Sequence, residues 1–308
     1  MTWLTHCVTK GTMSRMMTTG RVFVVTGASG GLGLATARAL TDRGAHVILA
    51  VRDERKGRAA QAGLTGGSCE VRRLDLADLD SVRAFAAGLD RVDVLINNAG
   101  VMAPPRTLTR QGHELQFGVN HLAHFALTGL LLDRLSAGDD PRVVTVSSVL
   151  HKSGRLDFAD LNGERRYRAT AAYNHSKLAN AVFGLELHRR LTAAGSPVRS
   201  LLAHPGYAAT GLQAAVRPGL YRTLLTRIGN PLLAVGADQG ARPTVHAATS
   251  PQVRGGEFIG PGGFAGMRGA PGVVRPARVA SDPSTGRRLW EVSEELTGVR
   301  FPLPRPAA

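Results

Sequence analysis

The chain has 308 residues, of which 43% are hydrophobic, and a formal net charge of +15; that apolar content supplies a substantial core and excludes a disordered or fibrous protein. The basic residues are scattered, with no run of five and no interleaved aromatics, so the charge reads as a solvated surface and excludes a nucleic-acid platform, leaving weak attraction to an anionic cofactor or a membrane surface. Cys7 and Cys69 stand outside any C-x-x-C pair or histidine cluster, which argues against a metal site or a disulfide framework and fits a reducing cytoplasm.

Residues 1–19 are polar and threonine-rich and lack the continuous apolar core of a signal peptide, so they are expected to form a disordered leader. No apolar run reaches the roughly 18–20 residues that span a bilayer. From Arg21 the pattern is regular. "RVFVVTG" is a short β-branched run ending in glycine and reads as a buried strand. "LGLATARALTDRG" repeats apolar and alanine positions at helical spacing until Gly44 stops it. Further strands are expected in "AHVILAV", "CEVRRLDL", "VDVLINNAG", "PRVVTVSS" and "PVRSLLAHPG", with helices between them. This alternation predicts one α/β domain, a doubly wound parallel sheet with helices on both faces, from about Gly20 to the end. An irregular Gly/Pro/Arg tail is expected after Arg254.

Between the first strand and the first helix stands "TGASGGLG". Gly27, Gly31 and Gly33 let the backbone turn tightly and approach a pyrophosphate, which then meets the free amides of a helix N-terminus. Strand before and helix after are the context this turn needs for dinucleotide binding. The second strand ends at Val51, followed by Arg52, whose charge suits the 2′-phosphate of NADP, with Ser29 and Lys56 as helpers. Asp53 is the competitor: shifted by a residue or two, it would face the 2′-hydroxyl of NAD. NADP is favoured, with NAD the alternative. In "AAYNHSKLAN", Tyr173 and Lys177 are four residues apart and share one helix face.

These stretches, with "DL" at Asp75–Leu76, "NNAG" ending at Gly100, "FGVNHLAHF", "VVTVSSV" and "HPG", come in an order that resembles the short-chain dehydrogenase/reductases over residues 20–260. "LAVRD", "VNHLAHF" and "YNHSKLANAVF" are similar to the retinol dehydrogenase-like and WW-domain oxidoreductase-like branch. The resemblance implies a single-domain Rossmann fold and an NADP-dependent oxidoreductase that moves a hydride between the nicotinamide and a carbonyl or alcohol. Tyr173 would be the general acid/base, its pKa lowered by Lys177 and the oxidised nicotinamide. Lys177 would also bond the nicotinamide ribose, Ser148 would hold the carbonyl oxygen, and Asn120 would position a water leading from Lys177 to solvent. Gly27, Ser29, Gly31, Leu32 and Gly33 would cradle the cofactor phosphates. Asp75 and Leu76 would flank the adenine, Asn98, Ala99 and Gly100 would line the central groove, and Pro205 and Gly206 would turn the chain beside the nicotinamide; His204 is not assigned a catalytic role.

Residues 207–235 stand where such a chain keeps its substrate lid. Leu212, Leu220, Leu224, Leu225 and Ile228 would either line an apolar pocket for a lipophilic substrate or cover the core, while Arg217, Arg222 and Arg227 would equally meet an acidic substrate or a membrane surface. Reduction of a carbon–carbon double bond, and an NADPH-binding regulator without turnover, are the rival functions; pairing of subunits stays open.

Overall fold

The computed structural model describes residues 18–206, 236–263 and 268–303. Strands β1 (Val22–Thr26), β2 (His46–Val51), β3 (Ser68–Arg73), β4 (Val94–Asn97), β5 (Arg142–Val146), β6 (Arg199–Ala203), β7 (Phe258–Pro261) and β8 (Pro271–Val273) form one sheet in the order β3-β2-β1-β4-β5-β6-β7-β8. All neighbours are parallel except β8, which runs against β7.

The apolar runs are continuous because both faces of the sheet are covered. In β1, Phe23 and Val25 turn to one core and Val24 to the other, following the two-residue period of a strand. Helix α1 (Gly31–Thr41) contributes Leu40 to the first core, and α6 (Ala237–Thr249) adds Ala247 and Ala248 to it. On the other face lie α3 (Leu79–Ala87), α4 (Ala123–Ser136) and α5 (Ala169–Ala193), which bring Phe85, Phe125 and Phe183. The short α2 (Glu54–Gln61) packs over β2 and β3, where a Cβ at Gly57 would come within 2.7 Å of Val51 and Val71.

Two boundaries differ from the sequence reading. Thr18, assigned to the leader, is fully buried and its hydroxyl donates to the Arg43 carbonyl at 2.6 Å. The expected irregular tail after Arg254 instead carries β7, β8, a 3-10 turn at Arg278–Ser281 and α7 (Pro283–Thr297). Asp282 caps α7 by accepting the amides of Ser284 and Thr285, and Pro283 opens it with the right backbone angle. Trp290 then packs 5.1 Å from Phe125 and 4.4 Å from Phe301 between ring centres, with the Arg190 guanidinium 4.3 Å over its ring. Gly129 of α4 makes room for this seam, since a Cβ there would press on Phe301 and Val299 at 2.8 and 2.9 Å.

Candidate active site

β1 pairs with β2 on one side and β4 on the other, so the chain reverses its winding at β1 and leaves a crevice beyond the strand carboxyl ends. There a cavity of about 470 Å3 opens, within the ordinary range for a ligand site. Gly27 and Gly31 hold φ of +69° and +53°, the left-handed region that favours glycine. Gly33 is dictated by space: a Cβ there would strike the Gly27 carbonyl and lie 2.7 Å from the Asn98 side-chain nitrogen. No side chain caps α1, so the first-turn amides at Gly31, Leu32 and Gly33, all lining the cavity, keep their donors for an anion.

Ser29, Arg52, Asp75, Leu76, Asn98, Ala99 and Gly100 also line this cavity, so the structure brings these sequence-predicted residues together. Arg52 is exposed at the rim near Lys56. Asp53 reaches the same rim, but its carboxylate caps α2 by accepting the Lys56 amide at 3.1 Å, and that bond holds it below the usual carboxylate range. The Asp75 carboxylate accepts the Ala77 amide at 3.0 Å, which shapes the turn after β3. Pro205 and Gly206 stand at the end of β6, outside the lining of this cavity; Gly206 has φ of +72° and its amide donates to His204 Nδ1. His204 is buried against Phe258, and burial pushes its pKa down to about 4. The lid stretch 207–235, with Tyr207, Thr210 and the leucines and arginines named above, lies outside the described residues.

The sequence-predicted catalytic residues Ser148, Tyr173 and Lys177 converge from the end of β5 and from α5. Tyr173 is 8% exposed; burial pushes its phenol up to about 12, and a hydrogen bond with Ser148 pulls the other way. Lys177 is buried too, and burial pushes its ammonium down to about 8. Its Nζ donates to the Val146 carbonyl at 3.1 Å and sits 5.9 Å from the centre of the Tyr173 ring. Desolvation dominates the Tyr173 phenol, and the Lys177 ammonium, one helical turn away, is held on the Val146 carbonyl of β5. The adjacent serines divide their work. Ser147 is buried and donates to the Lys177 carbonyl at 2.7 Å, whereas Ser148 is half-buried and reaches Tyr173.

Asn120 sits in a π-helical turn, Gly118–Leu122, between the single turn Leu115–Phe117 and α4; such bulges open a helix locally. Its side chain clamps Val101, accepting the amide at 2.8 Å and donating to the carbonyl at 3.0 Å, and donates to Ser176 at 2.9 Å. Both amide hydrogens are thus used, which leaves only lone pairs of Oδ1 and of the main-chain carbonyl to hold a water. A Cβ at Gly100 would lie 3.1 Å from Asn120 Oδ1 and 3.5 Å from Lys177 Nζ, so the glycine keeps open the gap between them.

Sequence reasoning missed Thr26. Its hydroxyl accepts the amides of Asn98 and Ala99, each at 2.9 Å, while Asn98 Nδ2 donates to its carbonyl at 2.8 Å; the threonine of the "TG" pair was the available signal. Val101, Leu115 and Val119 also line the cavity but look like ordinary core in the sequence. Among the described residues no group of three or more His, Cys, Asp or Glu side chains could hold a metal ion, and no helix is long and apolar enough to cross a membrane.

Comparison with known proteins agrees with this geometry. Residues 21–220 match the family model described as short chain dehydrogenase. Retinol dehydrogenase 12 of Homo sapiens is 42% identical over 290 residues, covering 92% of this chain and 88% of its own. Among solved structures, an uncharacterised protein from Mycobacterium Paratuberculosis is 48% identical with a TM-score of 0.80, over 94% of this chain and 98% of its own. A protein described as an NAD(P) dependent gluconate 5-dehydrogenase from Beutenbergia cavernae, solved with NADP at low occupancy, is 31% identical with a TM-score of 0.59, over 75% of this chain and 90% of its own.

Proposed function

Because the chain belongs to the short chain dehydrogenase family, and is thereby an NAD(P)-dependent oxidoreductase, we propose that it reduces a lipophilic aldehyde or ketone with NADPH, using Tyr173 as the proton donor. The observation that carries this reading is a buried Tyr173 held neutral beside the Ser148 hydroxyl, with Lys177 on the same helix face. NADP is favoured by Arg52, free of any capping duty at the rim, against Asp53, whose carboxylate is committed to α2. The NADP-bound relative supports the same choice. A lipophilic substrate is supported by the resemblance to retinol dehydrogenase 12. A reducing cytoplasm is the proposed setting, which suits the free thiol of Cys69.

The glycine turn, the uncapped α1 and Arg52 would hold the dinucleotide, which when bound supplies the hydride at its nicotinamide. Ser148 would hold the carbonyl oxygen and Tyr173 would donate its phenolic proton to that oxygen as negative charge grows there. Burial favours the protonated form of Tyr173, the form that donates a proton during reduction. Lys177, largely protonated below its pKa of about 8, would return the proton, drawing on the gap beside Gly100 and Asn120.

The test is turnover of long apolar carbonyls, followed through the absorbance of the reduced nicotinamide. Tyr173→Phe should lower kcat by about 10²–10⁴-fold with NADPH affinity held within about twofold. Full activity of that variant would refute the proton-donor role, and failure of the native protein to bind either NADPH or NADH would refute the reading as a whole.

A further inference from the structure

Thr26 accepts two amides, so both lone pairs of its hydroxyl are taken and its own proton must be donated. The nearer acceptor is Nε2 of His124 at 2.9 Å, against 3.3 Å to the Ile96 carbonyl. On the opposite side of the ring, Nδ1 lies 3.0 Å from the Asn120 carbonyl. A carbonyl only accepts, so Nδ1 carries the hydrogen. His124 is fully buried, and burial, with the Lys177 charge as a lesser cause, pushes its pKa down to about 4. The ring is therefore neutral and Nε2 accepts from Thr26. Donor and acceptor directions are fixed along an unbroken line from the Asn98 and Ala99 amides through Thr26 and His124 to Asn120.

The two ends of that line serve different halves of the site. Asn98 and Ala99 line the cofactor cavity. Asn120 clamps Val101 and, with Lys177, borders the gap at Gly100. We propose that His124 is a positioning residue which, through its Nδ1–H tautomer, couples the placement of the Asn98–Ala99 turn to the π-helical turn that carries Asn120. Filling the cavity and setting the Lys177 side of the site are then one event. The geometry stands by itself; its kinetic consequence rests on the cofactor reading above.

The tautomer is tested first, without cofactor, by nitrogen NMR of protein labelled at histidine. Nδ1 should carry the proton and Nε2 should not, and Thr26→Val should move the Nε2 resonance. Two substitutions then separate the ends, because the Asn amide stands two bonds from Cβ like Nδ1, and the Gln amide one bond further, near Nε2. His124→Asn retains the donor to Asn120 and loses the acceptor for Thr26, so NADPH affinity should fall about three- to tenfold, as for one buried hydrogen bond. His124→Gln retains the acceptor, so NADPH affinity should stay within about twofold while kcat falls by a similar three- to tenfold with KM steady. In a Thr26→Val background, His124→Asn should cost no further affinity. An Nε2–H tautomer, additive losses in that cycle, or equal losses of affinity and melting temperature in both His124 variants would each overturn the proposal. If the native protein bound neither nucleotide, the functional reading would fail while the NMR result still decided the tautomer and its link to Thr26.

Discussion

Asp140 offers a test of what holds the amino-terminal ends of the central strands together. It stands just before β5 with φ of +46°, and its carboxylate pairs with Arg142 at 2.6 Å, Arg21 at 3.4 Å and Arg199. Those arginines sit at the starts of β5, β1 and β6, so one carboxylate joins three strands. Arg142 is fully buried and also donates to the carbonyls of Ala247 and Ser250 at the end of α6. Burial pushes the guanidiniums of both Arg142 and Arg21 down to about 10. Asp140→Asn keeps the size of the side chain and its tolerance of positive φ, and removes only the charge. Breaking a buried pair costs about 3–5 kcal/mol, and since the Asp140 side chain is 27% exposed, the expected loss is discounted to about 2–3 kcal/mol. For a chain of this size that is a fall in Tm of about 3–5 °C. Urea and thermal unfolding followed by circular dichroism measure it. Asp140→Gly separates charge from backbone: it relieves the positive φ but loses the same charge, so it should be about as unstable as the Asn variant. A loss below about 0.5 kcal/mol for Asp140→Asn, or recovery of stability in Asp140→Gly, would refute the electrostatic account.

Three further outcomes follow from the site. Arg52→Ala should weaken NADPH by about 10- to 100-fold, the value of a charge-assisted bond, and leave NADH within about twofold; equal losses in titrations of both would reject its phosphate role. Gly33→Ala, which drives a Cβ into the Gly27 carbonyl, should cost about 1–3 kcal/mol in urea unfolding and abolish measurable nucleotide binding. The pKa of Lys177 is lowered by burial to about 8, so below that pH both folded and unfolded chains hold the proton and the buried charge costs stability. Between about pH 8 and 10.4 the unfolded chain holds more protons, and stability rises with pH. Lys177→Met should therefore stabilise the fold near pH 7, by at most about 3 kcal/mol, and flatten that rise, as unfolding at several pH values would show.

The part of the fold that surrounds the cavity was legible because β1, β2 and β4 are compact apolar runs rich in β-branched residues, and "TGASGGLG" joins the first strand to the first helix. The C-terminal part was not. β7 is "FIGP" and β8 is "PGV", too short and too rich in turn residues for any period to show. α7 did carry an N-terminal signal at Asp282–Pro283, but its buried stripe is diluted by Gly286, Ser293 and Thr297. In the site, Tyr173 and Lys177 could be paired from a local spacing, whereas Thr26 and His124 meet across 98 positions of chain. The state of Lys177 was not legible for a related reason: its lowered pKa follows from burial, which a helical wheel does not record.

The seam around Trp290 ties the timing of maturation to the end of the chain. Synthesis delivers α4 and α5 well before α7, and domains begin to organise in that order. Until residues 283–301 emerge, Phe125 and Phe183 lack the indole and phenyl rings that cover them in the finished protein. The helix that bears Tyr173 and Lys177 is thus the one whose outer face is sealed last. A ribosome that stops short of Pro283 releases a chain that carries Tyr173 and Lys177 with an uncovered aromatic surface behind them, the kind of surface on which chaperones and proteases act.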